Sequence, residues 1–256
     1  MVGTYNSWLV LLSILVAIFV SYTALSLSAR VARAKNSTNT GMWVVGGALA
    51  MGCGIWSMHF IGMLAFSLPI PLTYDLGLTI ASLVIAIAIS GFALSVASNP
   101  EISIVQLSFS AAIMGAGISA MHYSGMAAID LVPMITYEPL IMAASIAIAI
   151  VASFAALWLF FQLREGNSWG MRLARIAAAF VMGFAISGMH YTAMAASRFS
   201  PRSLCIGGAS VNTSSLAITT CVVTFVVLSV TTGFLIIEAR RDAEARKRVA
   251  RIDASH

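Results

Sequence analysis

An all-α polytopic membrane protein of seven transmembrane helices is the fold class this sequence predicts, and three observations predict it. Hydrophobic residues make up 60% and charged residues 9% of the 256-residue chain, whereas a soluble domain carries roughly a quarter charged residues. Mean hydropathy is +0.95. Seven apolar runs each reach the about 20 residues that cross a hydrocarbon core of about 30 Å.

The first run, 8–29, has no positive residue before it and exceeds the length of a signal-peptide core, so it reads as a retained anchor. Pro69 and Pro71 separate the second run, 42–66, from the third, 76–97. Asn99 and Pro100 precede the fourth, 103–128, and Pro133 and Pro139 the fifth, 140–162. Gly166 and Asn167 precede the sixth, 173–197, and Pro201, Gly207 and Gly208 the seventh, 214–237. Residues 1–237 thus read as one membrane domain and 238–256 as a charged, alanine-rich helical tail. In that tail Glu238 with Arg241, Asp242 with Arg246, and Glu244 with Arg248 recur at helical spacing. It reads as a solvated stub or as a linker to a cytoplasmic signalling partner.

Orientation follows from the cations. Arg30, Arg33 and Lys35, then Arg164, Arg172 and Arg175, then Arg240, Arg241, Arg246, Lys247, Arg248 and Arg251 fall on one face, against Arg198 and Arg202 on the other. The positive-inside rule puts the N-terminus outside and the tail in the cytoplasm. The pI near 9.4 is therefore a topology signal directed at anionic lipid headgroups, with no nucleic acid implied. Cys53, Cys205 and Cys221 have no spacing that implies a disulfide framework or a CxxC metal motif.

The second, fourth and sixth runs share the pattern MGxxIxxMHxxxM, as MGCGIWSMHFIGM at 51–63, MGAGISAMHYSGM at 114–126 and MGFAISGMHYTAM at 182–194. Two crossings separate successive copies, so the three motif helices run parallel, from cytoplasm to outside, as a three-fold internal repeat of helix pairs. Nine of the fourteen methionines and every histidine except His256 fall inside it. At about 100° per residue, the histidine falls about 80° and the last methionine about 120° around the helix from the first methionine, with the second methionine about 20° to its other side. His59 with Met63, His122 with Met126 and His190 with Met194 thus converge in the outer half of the membrane. Met51, Met114 and Met182 lie about 12 Å deeper, and Cys53 points away.

Imidazole and thioether form a soft-to-borderline ligand set that suits copper, Cu(I) above all, and zinc less well. Ligation needs unprotonated imidazole, so binding is expected to weaken in acid. Gly52, Gly54, Gly115, Gly117 and Gly183, with Ser119, Ala120, Ser187 and Gly188, allow the close helix approach that such a site requires.

These copies resemble the MHYT domain family of integral-membrane sensory domains, whose signature is Met-His-Tyr-Thr in three helices. Met189, His190, Tyr191 and Thr192 match it literally. Met121, His122, Tyr123 and Ser124 differ by one hydroxyl-conserving change, and Met58, His59, Phe60 and Ile61 depart at the last two positions. The resemblance covers about residues 5–240. It implies a sensor in a bacterial inner membrane that binds one or two copper ions through methionine and histidine near the outer surface and responds to oxygen, carbon monoxide or nitric oxide. Members are often fused to cyclic-di-GMP synthase or phosphodiesterase domains, or to kinases. No such output follows before His256, which fits a stand-alone form, a partner-dependent form or a fragment, and no residue reads as catalytic.

The expected ligand set is His59, His122 and His190, with Met63, Met126 and Met194, and with Met58, Met121 and Met189. Copper transport, with Met51, Met114 and Met182 as a second station, is the first alternative. A zinc hydrolase is another, although its potential bases, Asp75, Asp130 and Glu138, are all in outer loops. Haem on two histidines is a third. Tyr123 and Tyr191 read equally as packing or hydrogen-bond partners.

Overall fold

The computed structural model describes residues 3–33, 40–99, 101–164, 168–205 and 210–253. Lys35, Pro100, Gly166, Asn167, Gly207, Gly208 and the terminal His256 lie outside them, as do the side chains of Arg33, Glu238, Arg241, Asp242, Arg246, Lys247, Arg248 and Arg251. Seven helices are present among the described residues: α1 (Ser7–Arg33), α2 (Thr40–Ala65), α3 (Leu76–Ala97), α4 (Ile104–Ala127), α5 (Pro139–Leu163), α6 (Trp169–Ala196) and α7 (Thr213–Asp253). Each holds a segment long and apolar enough to span a membrane. α6 starts earlier than its hydropathy implies, because Ser168 caps it, accepting from the Met171 N–H. α7 runs without a break into the charged tail, for 41 residues.

Six helices form a closed ring in which α1 packs on α2, α2 on α3, α3 on α4, α4 on α5, α5 on α6, and α6 back on α1. α7 stands outside, against α2. The spatial pairs are therefore α2 with α3, α4 with α5, and α6 with α1. The third pair is completed by the first helix of the chain, not by the seventh.

Glycine sets the seams. A Cβ placed on Gly52, Gly115 or Gly183 would lie 2.5, 2.6 or 2.7 Å from the Cα of Ile87, Ile150 or Ile18. The second residue of each motif thus lies directly against the backbone of its partner helix, as in small-residue membrane seams. The fourth residue faces the opposite neighbour, Gly54 meeting Val20 and Gly117 meeting Ile89. At the third seam the same registers hold Ala185 and Ala152, a medium pair in place of small on large. Gly188 has nothing within 4 Å of its Cβ position, so it is not one of the close-approach residues the sequence groups it with.

The outer end is closed by short strands the hydropathy does not reveal. They are β1 (Thr4–Tyr5), β2 (Phe66–Ser67), β3 (Thr73–Asp75), β4 (Leu131–Val132), β5 (Thr136–Tyr137), β6 (Ser197–Arg198), β7 (Leu204–Cys205) and β8 (Ser210–Asn212). β1 pairs with β2, β3 with β8, β4 with β7 and β5 with β6, all antiparallel. The backbone N–H of Asn6, Asp75 and Glu138 donates to the carbonyl of Ala65, Ala128 and Ala196, at 2.8, 2.7 and 2.8 Å. Each bond links the start of an odd-numbered helix to the end of a motif helix, two residues beyond the motif's last methionine, and so fixes the depth of the motif helices relative to one another.

Candidate metal centre

Parallel direction and matched depth bring the three motif histidines to the axis of the ring. The Nδ1 atoms of His59 and His190 are 3.2 Å apart, those of His122 and His59 3.2 Å, and those of His190 and His122 3.3 Å. All three residues are 1% exposed, which shields them from bulk solvent. Their rings stand almost perpendicular to one another, at 77–84°, as the blades of a propeller. Among the described residues they form the one group of three or more histidine, cysteine or carboxylate side chains close enough to share an ion.

The triangle has the size a metal needs. Corners 3.2–3.3 Å apart stand about 1.9 Å from their common centre, close to the about 2.0–2.1 Å of a metal–imidazole bond, so the three Nδ1 atoms would be placed to hold one ion. Each Nδ1···Nδ1 contact is within hydrogen-bond distance, with donor and acceptor set by the tautomers; an ion would instead need all three Nδ1 lone pairs turned toward it. With Nδ1 given to an ion, Nε2 would carry the proton; all three Nε2 atoms are buried, with no hydrogen-bond partner among the described residues.

Packing, not hydrogen bonding, therefore orients the rings. A methyl on Gly62 would strike His190 Nε2, and one on Gly125 would strike His59 Nε2. Each histidine also meets the aromatic residue that follows it edge-on, His59 with Phe60 at 4.9 Å, His122 with Tyr123 at 5.0 Å and His190 with Tyr191 at 4.8 Å between centroids. The phenols are anchored in turn: Tyr123 Oη lies 2.7 Å from Ser145 Oγ, and Tyr191 Oη 2.7 Å from Ser13 Oγ. Phe60 has no hydroxyl, and there the indole N–H of Trp56 donates to Ser82 Oγ at 3.1 Å while its ring packs on Phe60, 4.6 Å away. The first copy thus keeps the anchor by another route. Tyr123→Phe and Ser145→Ala are each expected to cost about 0.6 kcal/mol, and the double variant no more than either; thermal unfolding of a double-mutant cycle checks this, and additive losses would rule the bond out.

All nine motif methionines are buried. Met63, Met126 and Met194 lie one turn outward of the histidines in a core cluster that also holds Met58 and Met121, while Met189 belongs to the deeper cluster with Met51, Met114 and Met182. Among the described residues no carboxylate joins the triad: Asp75 caps α3 by accepting from the Leu78 N–H at 2.7 Å, and Glu138 lies 3.7 Å from Arg198. Met126 also lines a pocket of about 440 Å³ at the outer face, together with Asp75, Asp130, Tyr123 and Tyr137. Burial and the neighbouring Tyr123 push the Tyr137 phenol up to about 12, so it stays a neutral wall of that pocket.

The serine anchors are what the sequence reading missed. Ser13, Ser82 and Ser145 each stand seven residues after Asn6, Asp75 and Glu138, and Thr-Tyr precedes each of those three. That faint repeat in the odd-numbered helices was the available signal.

A family model described as "Bacterial signalling protein N terminal repeat", MHYT, matches residues 52–110, 115–171 and 183–250. Among curated proteins the chain is similar to the bifunctional diguanylate cyclase/cyclic di-GMP phosphodiesterase MucR of Pseudomonas aeruginosa, 48% identical over 244 residues, 95% of this chain and 35% of that protein. It is similar to the signaling protein YkoW of Bacillus subtilis, 41% identical over 77% of this chain and 24% of the relative. Similarity to the cyclic di-GMP phosphodiesterase NbdA of Pseudomonas aeruginosa is 40% over 75% of this chain and 24% of the relative. The chain thus spans about a third or less of the length of these relatives. No solved structure matches. Three matched repeats, on the three helices that carry the histidine triangle, make this chain a member of the MHYT family of bacterial membrane signalling proteins.

Proposed function

We propose that this chain is a membrane sensory module in which His59, His122 and His190 hold one copper ion through Nδ1 beneath the outer surface, and in which oxygen, carbon monoxide or nitric oxide is the stimulus. The observation that carries the reading is the buried triangle of three Nδ1 atoms, 3.2–3.3 Å on a side, with no carboxylate beside it among the described residues. Copper when bound supplies a redox-active centre with room for a further ligand. Imidazole with thioether favours it over magnesium or calcium, which take oxygen ligands. Met63, Met126 and Met194, one turn outward near the histidines' own direction, suit a fourth position better than Met58, Met121 and Met189, which lie about 100° around their helices.

The residues do the rest. The aromatic neighbours and Gly62 and Gly125 hold the rings against rotation, so a change in the preferred ring geometry must move helices. α2 carries His59 and is the ring helix against which α7 packs. The Arg30 guanidinium lies over the rings of both Trp43 in α2 and Phe234 in α7, at 4.7 and 5.2 Å, and ties α1 to both. A shift of α2 is thereby passed to α7 and on to its cytoplasmic extension, where the cyclic-di-GMP enzymes named among the relatives suggest the kind of output served.

Elemental analysis and X-ray absorption of the purified chain test this. The expected result is about one copper per chain with three nitrogen neighbours, plus one sulfur if a methionine closes the shell. Zinc in place of copper, or unchanged copper after replacing all three histidines by alanine, overturns it.

A further inference from the structure

On the cytoplasmic side of the histidines the ring lines a partly open chamber of about 50 Å³. Its walls repeat the three-fold order: Met51, Met114 and Met182 below, with Ile55, Ile118 and Ile186 one turn nearer the triad. Among the described residues the only polar ones in the lining are Ser21 and Ser153. Ser21 spends its hydroxyl on the Ala17 carbonyl at 2.8 Å, and Ser153 Oγ is buried without a partner.

A buried water needs about two to four polar partners, and this chamber offers one free hydroxyl, so water is disfavoured there; dry apolar cavities take up benzene or xenon instead. The space suits a molecule of about two to four heavy atoms. It is also wider than the bond-length cage that three thioethers would form around an ion. Uncharged apolar molecules concentrate in the hydrocarbon of the bilayer, the depth at which the chamber lies.

We propose that this chamber binds a small, uncharged, apolar molecule of diatomic size, supplied from the bilayer, at a place separate from the histidine triangle. It deepens the gas-sensor reading by giving the stimulus a second, metal-independent station, about two turns below the imidazoles.

The test uses xenon on the full chain in nanodiscs, read by carbon-13 NMR of methionine methyl groups assigned by single leucine substitutions, with and without added copper. Saturable xenon shifts are expected for Met51, Met114 and Met182. Linear, unsaturating shifts are expected for Met171, which is partly exposed near the start of α6. Ala156→Phe, which fills the chamber, is expected to abolish the saturable component; should that variant fail to fold, saturation in the unmodified chain decides. Linear shifts at all four methyls overturn the proposal. So does magnetisation transfer from water to the three chamber methyls, or a saturable response to Cu(I) in place of xenon. A chain without copper at the triad would still show the xenon response, so the two readings fail separately.

Discussion

Replacing His122 alone by alanine is expected to lower copper affinity by more than about 100-fold, nearly as much as replacing all three histidines. Losing a group that merely orients a metal-bound histidine costs about 10–100-fold, and here a ligand itself disappears. The three Nδ1 atoms stand at the corners of one small triangle, so two survivors cannot close around the same point without moving their helices, which the outer strand ladders and the Gly52, Gly115 and Gly183 seams resist. The single losses should therefore be strongly non-additive. Competition with a chelator of known affinity measures this; a His122→Ala chain that holds copper within about threefold of the parent would exclude the three-nitrogen centre.

Gly115→Val is the structural counterpart. Its Cβ would fall 2.6 Å from the Cα and 2.7 Å from the N of Ile150, and a partner backbone has no rotamer with which to yield. Overpacking of side chains costs about 1–3 kcal/mol and occasionally more; against backbone the upper end or beyond is expected, with the α4–α5 seam forced open. Gly188→Ala is the matched control, because nothing lies within 4 Å of that position, and its effect should stay within about 0.5 kcal/mol. Melting followed by size-exclusion chromatography in detergent compares the two. Equal stability of both variants would show that the seam is not closed as described.

The spans and the triad were legible because each rests on a strong periodic signal. Apolar runs of transmembrane length, broken by proline and glycine, gave all seven helices; the recurrence of Met-His after every second crossing put the imidazoles on parallel helices at one depth. The outer strands were not legible: two-residue ladders carry no alternation to detect, and Thr4-Tyr5, Thr73-Tyr74 and Thr136-Tyr137 are too brief to stand out. Nor was the choice of α1 over α7 as partner of α6. Asn6 and Asn212 both receive N–H groups of the helix they start, from Leu9 at 3.3 Å and Ser215 at 2.8 Å, and both helices are apolar throughout their spans. The decision is made at Gly183, whose surface fits the Ile18 backbone.

That choice of partner fixes an order of assembly during synthesis. α1 cannot meet α6 until four further spans have been made, so the ring of helices stays an open arc while α2 to α5 are synthesised. Only the arrival of His190 closes both the circle and the imidazole triangle in one step. The seventh span then emerges beside a finished drum, free to be pulled or tilted without breaching it.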